Sequence, residues 1–545
     1  MRKGITPAPG TPGEGWGGGC VEGPFAKSKA SPRTPSLTLP RNTEGGKKIS
    51  IPFVLSFAIC LLVWTWFVTW GDWRLFDHER FGGYYDAQAR AILYGRLDVP
   101  PEAIGFEAFV RESKSYGYFG IAPALLRIPL VVLFPSMDGR WSRLMTLVAV
   151  VLTLCYAYRL LTWASAAMGT QSSVNSIVKC FFVLSAGLGS TLPFLASRSY
   201  AYHEAILWGA AFSLMCAYYL VQYLSTSRAA CLALAGLFAF AAFLSRATAG
   251  AGALLAMTVL AGILLLRAMG WAELKTLGRV FGLTGSNQDS LPFPSARSSR
   301  AITPHAMIAC GSVVLTIGVY LGINYAKFKT FDGVPVRYYS LYIKDPQRMQ
   351  VTGGKQVHPE NLRTGLLAYF GLGSAEVSPQ FPWVYMTTQP RVFPEAAIDV
   401  VEPHSSIPLS MPALFVLAVM GCGAIVKGDG PVRMLRLPAI ALFLGGAIIL
   451  MTVGITERYL HDLYPLLIIT AAAGACRLAA SRSLSLKLAG LAPLVLLGIL
   501  VNAAFAFDFQ REIVWGVPQS KRAELTAIRH SIDQFFGRPS AMAKE

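Results

Sequence analysis

Apolar residues gather into long runs at roughly 51–70, 142–162, 177–197, 204–224, 229–245, 247–267, 305–323, 409–427, 437–454, 459–479 and 488–506. A bilayer core is ~30 Å thick and a helix rises 1.5 Å per residue, so each run is near the roughly 20 residues a span needs. Only a helix satisfies its own backbone polar groups inside hydrocarbon. The pattern therefore predicts an all-α polytopic membrane protein with about eleven spans, within a range of about 10–13. The stretch 120–135 (GIAPALLRIPLVVLFP) is apolar but short, and Pro123 and Pro129 interrupt it. It reads as a re-entrant or interfacial helix.

Between the runs lie two long polar connections, 71–141 and 324–408. Residues 1–50 are rich in Gly, Pro, Ser and Thr, carry eight Lys/Arg against Glu14, Glu22 and Glu44, and hold no apolar segment of their own. They are expected to form a disordered basic cytoplasmic tail, not a cleavable signal. Residues 51–506 would be the membrane domain. With the tail inside, the basic groups at 267–304, Arg228, Lys427, Arg433, Arg436, Arg477, Arg482 and Lys487 also fall inside, as the positive-inside rule asks. The two long loops and a C-terminal segment, 507–545, then lie outside the cytoplasm.

Composition agrees with the pattern. Of 545 residues, 53% are hydrophobic and only 14% charged, against about 25% charged in a soluble domain. The net charge of +18 reads as cytoplasmic loops facing anionic lipid, not as a nucleic-acid site. The nine cysteines contain no CxxC and lie mostly in apolar runs, so they read as small buried hydrophobes. There is no P-loop, GxSxG or HExxH motif, and no inverted repeat of broken helices to suggest a transporter.

The first outer loop is the most informative stretch. Tyr85 to Leu97 has Ala89, Ile92, Leu93 and Leu97 at helical spacing. Asp86 stands at the start of this segment, where a helix dipole favours a carboxylate, with Arg90 one turn on. Asp77 and Glu79 precede it in FDHERF. Elsewhere, charges stand at the edges of apolar runs: Arg246 in LSRATAG, Arg458 in GITERYLHDLYP, and His203 and Glu204 in SYAYHEAIL. A charge in such a place is costly unless it is paired or interfacial. Glu107 in the first loop, and Arg337 and His404 in the second, are further polar candidates.

An apolar first span, an Asp leading a short helix, the turn Gly95 to Leu97, the aromatic run Lys114 to Tyr118 and the helix Pro123 to Pro129 together resemble the C-type glycosyltransferase superfamily. Protein mannosyltransferases and lipid A aminoarabinose transferases belong to it. The chain departs from that pattern in having Asp86-Ala87 for an Asp-Glu pair and Ala122-Pro123 for Pro-Pro. The resemblance implies an enzyme that moves a sugar from a polyprenyl-phosphate donor to an extracytoplasmic glycan, lipid or protein acceptor, in a bacterial inner membrane; the basic residues place its N-terminus in the cytoplasm. It implies Asp86 as general base with Asp77 as second choice, and Arg458 as a contact to the donor phosphate; Arg246, the cation interrupting an apolar stretch, is expected to share that role. Glu107, His203, Glu204, Arg337 and His404 would be secondary contacts. No metal ligands and no cofactor are named, and the part of a divalent metal stays open. A polysaccharide polymerase or ligase, leaning on Arg337, Arg363 and His404, and a transporter without catalysis are the alternatives.

Overall fold

The computed structural model describes residues 51–270, 275–283, 299–512 and 517–538; the N-terminal tail lies outside them. Seven helical stretches are long and apolar enough to cross a membrane: Ile51–Val68, Ser142–Ala167, Ala201–Thr226, Ala247–Ala268, Ile302–Phe328, Pro431–Met451 and Leu484–Glu512. Five shorter apolar helices accompany them: Ala122–Leu133, Ser176–Gly187, Ala229–Phe243, Pro412–Lys427 and Tyr464–Ala479. Helix occupies most of each apolar run, but among the described residues seven stretches, not eleven, have the length and composition of a span.

The run at 177–197 is not one helix. It stops at Gly187 and resumes as Leu192–Ala196. The sequence Gly187-Leu-Gly-Ser-Thr-Leu-Pro193 favours neither continuous helix nor an uninterrupted ladder. The carbonyls freed at the break find donors from other helices: Trp64 Nε1 reaches Gly187 O at 3.1 Å and the Tyr464 hydroxyl reaches Ala186 O at 2.8 Å. That is how a helix break is tolerated at membrane depth.

We label α1 Ile51–Val68, α2 Tyr84–Leu93, α3 Ala122–Leu133, α4 Ser142–Ala167, α5 Ser176–Gly187, α6 Ala201–Thr226, α7 Ala229–Phe243, α8 Ala247–Ala268, α9 Ser299–Phe328, α10 Pro412–Lys427, α11 Arg436–Gly446, α12 Tyr464–Ala479, α13 Leu484–Glu512 and α14 Gln519–Phe535. Helix α6 is the hub, with 89% of its spanning window buried, whereas α9 and α13 are 17% and 22% buried and form the rim. Helices α10 and α12 cross at glycine. A Cβ on Gly421 would stand 1.7 Å from Thr470 O, and one on Gly474 would stand 1.9 Å from Leu417 O. Such backbone approach substitutes for the hydrophobic effect, which is weak between helices in lipid.

The outer loops carry small sheets that hydropathy does not reveal. Phe109–Arg111 (β1) and Lys114–Tyr116 (β2) form a hairpin whose turn residues, Glu112 and Ser113, have φ of +51° and +59°. This is the handedness a two-residue hairpin loop prefers. Ala375–Val377 (β3) pairs antiparallel with Val384–Met386 (β4), and Val400–Val401 (β5) pairs parallel with Gly454–Ile455 (β6). In the first loop, α2 ends at Leu93, short of Leu97. Gly95 takes φ +69°, with Gly95 N–H donating to Ile92 O and Arg96 N–H to Ala91 O, a Schellman stop. Helix α14 lies against the outer loops: Lys521 pairs with Asp72 at 2.8 Å, and Asp533 accepts from Phe381 N–H at 2.7 Å.

Replacing Gly421 with Val should force α10 and α12 apart and lower stability by about 1–3 kcal/mol. The thermal unfolding midpoint of the detergent-solubilised protein measures it; an unshifted midpoint would show that the crossing is not close.

Candidate functional site

A cavity of about 750 Å³ opens where α6, α8 and α9 meet the outer loops. Its charged lining is Glu107, Arg246, Arg348, Asp399, Glu402 and Arg458, set among the rings of Tyr118, Tyr202, Tyr320, Tyr339, Tyr342 and Tyr459.

Arg246 is the N-cap of α8, at the tight turn from α7. Its Nε and Nη2 hold the Asp462 carboxylate at 3.0–3.2 Å, and the Thr248 hydroxyl donates to the same carboxylate at 3.3 Å. Arg458 is placed by the β5–β6 pairing. Val401 opposite Ile455 brings Glu402 beside Thr456, and the Glu402 amide donates to Ile455 O at 2.9 Å. The Glu402 carboxylate then accepts from Thr456 Oγ1 at 2.9 Å and from Arg458 Nη1 and Nη2, the latter at 3.0 Å. Both arginines approach one ring: Arg246 lies 5.2 Å and Arg458 5.6 Å from the centre of Tyr459, and Arg458 lies 4.7 Å from Tyr202. Cations over electron-rich faces gain further stabilisation.

The opposite wall comes from the second outer loop. Arg348 holds Asp399 through two bonds of 2.9 Å, and the Tyr342 hydroxyl donates to the same carboxylate at 2.6 Å. The loops join where Phe109 bridges Tyr339. Their rings stack at 4.7 Å and 7°, the Ser340 amide donates to Ala108 O at 2.9 Å, and the Tyr339 hydroxyl donates to Glu107 Oε2 at 2.7 Å. Burial pushes the Glu107 carboxyl above the ordinary carboxylate range, while the Tyr339 hydrogen bond opposes it.

Of the residues singled out from sequence, Arg246, Arg458 and Glu107 line this cavity. Asp86 and Asp77 do not. Asp86, 2% exposed, is held by Arg127 and by the Gly139 amide at 2.6 Å. Arg90, its expected partner, pairs with Asp138 instead. Arg127 also holds Glu204 at 2.6 and 2.8 Å, so one guanidinium fastens α2, α3 and α6 together. Asp77 is half exposed and 3.8 Å from Arg143. Its neighbour Glu79 is buried against Arg198 at 2.9 Å. His203 is buried one position from Tyr202, its Nδ1 facing the Leu195 and Arg198 carbonyls at 3.1 and 2.9 Å. His404 is buried too, and burial lowers its pKa. Arg337 is exposed, 4.9 Å from the Tyr338 ring.

In sequence, Arg348 and Asp399 look like two of many loop charges. Arg127 carries a sequence signal that neither its neighbours nor the family resemblance explains: it is a lone cation in the apolar stretch 120–135. Among the described residues, no three His, Cys, Asp or Glu side chains are grouped to hold a metal ion, and the eight described cysteines are all unpaired.

No protein-family model matches the sequence, and no curated protein matches it. Among solved structures, the chain is similar to the Archaeoglobus fulgidus oligosaccharyltransferase tethered to an acceptor peptide. The identity is 12%, the TM-score 0.41, and the match covers 87% of this chain and 58% of that one. It is also similar to the same archaeal enzyme with an inhibitory peptide and a dolichol-phosphate (14% identity, TM-score 0.40, 90% and 61% covered). A third is ArnT from Cupriavidus metallidurans bound to undecaprenyl phosphate (14%, TM-score 0.44, 89% and 70% covered). The chain thus spans less than two thirds of the oligosaccharyltransferase.

Beside Arg458, Glu457 is buried and accepts from the Ser405 amide at 2.6 Å and the Ser410 hydroxyl at 2.7 Å. Burial pushes its carboxyl from 4.5 up to about 7 against those two hydrogen bonds. Between those values the folded state keeps a proton that the unfolded state has lost, so stability falls as pH rises through this window. Glu457→Gln should flatten that part of the profile of unfolding midpoint against pH; an unchanged slope assigns the dependence to other groups.

Proposed function

We propose that the chain is a membrane glycosyltransferase that takes a sugar from a polyprenyl-phosphate-linked donor and passes it to an acceptor outside the cytoplasm. The observation that carries this reading is the approach of Arg246 and Arg458, from distant parts of the chain, to the one Tyr459 ring in the cavity. Arg246 commits Nε and Nη2 to Asp462, and Arg458 commits Nη1 and Nη2 to Glu402. Arg246 Nη1 and Arg458 Nε stay outside those pairs and are available to a phosphate oxygen. Guanidinium N–H groups suit phosphate geometry, and in a water-poor site such bonds are strong. The volume is within the usual small-molecule range of about 300–1,000 Å³. The many rings offer faces to sugar C–H groups.

In this reading the donor's phosphate meets the two arginines and its sugar extends towards Arg348, Asp399 and Tyr342. The buried Asp86–Arg127–Glu204 group holds the wall that carries Tyr202. The protein would lie in a bacterial inner membrane with its N-terminus in the cytoplasm. Arg337, Arg363 and His404, on which a polymerase or ligase reading leans, line no part of the cavity.

Replacing Arg246 or Arg458 with Ala should weaken binding of undecaprenyl phosphate to the protein in nanodiscs by about tenfold or more, equivalent to about 1.4 kcal/mol per decade. Native-like melting and unchanged affinity in both variants would sink the assignment of the phosphate site. Arg127→Met leaves two buried carboxylates without their cation and should cost about 3–5 kcal/mol of stability, read from the unfolding midpoint. A midpoint unchanged from wild type would contradict the triad.

A further inference from the structure

We infer that Glu107 is the general base of the transfer, and that the Tyr339 hydroxyl positions its carboxylate. The inference rests on the glycosyltransferase reading and identifies the group that handles the proton.

The carboxylates at the cavity differ in what holds them. Asp399 gives Oδ1 to Arg348 Nε and Oδ2 to Arg348 Nη2 and Tyr342. Glu402 gives both oxygens to Arg458 and one to Thr456 as well. Asp462, behind Arg246, is clasped through both oxygens. A carboxylate in a two-point clasp with a guanidinium has its lone pairs engaged and its basicity suppressed. Glu107 is the exception among the described cavity carboxylates. Its partner is a phenol, which occupies Oε2 at 2.7 Å and leaves Oε1 outside that bond. It lines the same cavity as the two arginines, whereas Asp86 is committed to Arg127 and the Gly139 amide.

The step balances simply. The acceptor hydroxyl oxygen forms a bond to the anomeric carbon, and the bond from that carbon to the phosphate oxygen breaks. The electron pair leaves on the lipid phosphate, towards Arg246 and Arg458, and the hydroxyl proton passes to Glu107 Oε1. No redox partner is needed.

Position and surroundings suit this work. Glu107 sits in a single helical turn, Gly105–Glu107, followed directly by β1. The hairpin, the Phe109–Tyr339 stack and the Ser340 amide hold that turn in place. Facing it are Tyr339 and Arg348 of the second loop, Tyr118 of the first, Tyr202 of α6, and Arg458 with Glu402. Burial raises the proton affinity of the carboxyl, and the phenol and Arg458 pull it back. A base works best when its pKa lies near the operating pH.

The test uses the full chain in proteoliposomes with radiolabelled polyprenyl-phosphate hexose and pentose, followed as kcat, KM and pH profile. Glu107→Gln should lower kcat about 10²–10⁴-fold, the usual contribution of a positioned base, with undecaprenyl-phosphate binding unchanged. Glu107→Asp should keep part of the activity. Tyr339→Phe removes a hydrogen bond to the charged form, so the acid limb of kcat/KM should move to higher pH while Glu107→Gln loses that limb altogether. A Glu107→Gln variant that keeps most of its turnover overturns the inference while the transferase reading stands. If Glu107→Gln does not fold, an acid limb unmoved in Tyr339→Phe overturns it equally. A wild-type chain that neither binds the lipid phosphate nor transfers sugar overturns both.

Discussion

A guanidinium beside hydrocarbon must bring its counter-charge with it. The cost of an isolated charge there amounts to several kcal/mol, and the organisation of this protein follows from meeting it. Arg246 has Asp462, Arg458 has Glu402, Arg348 has Asp399 and Arg127 has both Asp86 and Glu204. In every case the partners come from separate elements. The ion pairs are therefore also the ties that draw the helix ends and both outer loops to one place.

Those ties need precise backbone support, which the short strands supply. Two residues of parallel pairing, Val400–Val401 with Gly454–Ile455, put Glu402 within reach of Arg458. The hairpin after Glu107 and its bridge to Tyr339 join the loops across the opening. Lys327, buried at the end of α9, donates to Gly117 O at 2.9 Å and so fastens the first loop to a membrane helix. The central helix α6 presents Tyr202 to the cavity and Glu204 to Arg127. The same turn thus serves the site on one side and the scaffold on the other.

Much of this was legible in the sequence, and the reasons are physical. Long apolar runs report helices because lipid admits little else, so the helical layout could be read. Arg246 and Arg458 stood out because a charge interrupting apolar sequence needs a local explanation. Asp86 stood out by its place at the start of a short helix in the first outer loop, but sequence could not tell which partner held it. The choice between Arg90, one turn away, and Arg127, across the loop, depends on how α3 packs. Strands of two or three residues leave no periodicity to detect, and Arg348 and Asp399 find each other across 51 residues of loop, so in sequence they were indistinguishable from solvated loop charges. The break between Gly187 and Leu192 was visible in composition yet hidden by the high hydropathy of its surroundings.

The partner of Arg246 lies 216 residues further along the chain. At a synthesis rate of roughly 5–20 residues per second, α7 and α8 enter the bilayer on the order of tens of seconds before Asp462 exists. During that interval the arginine has no carboxylate, and its lowest-energy position is at the headgroups, reached by its long side chain. Arg246 gains its final partner only when the last third of the chain has been made. The cavity wall at Arg246 is therefore completed by residues among the last to be synthesised, so its assembly is a late event in the life of the chain.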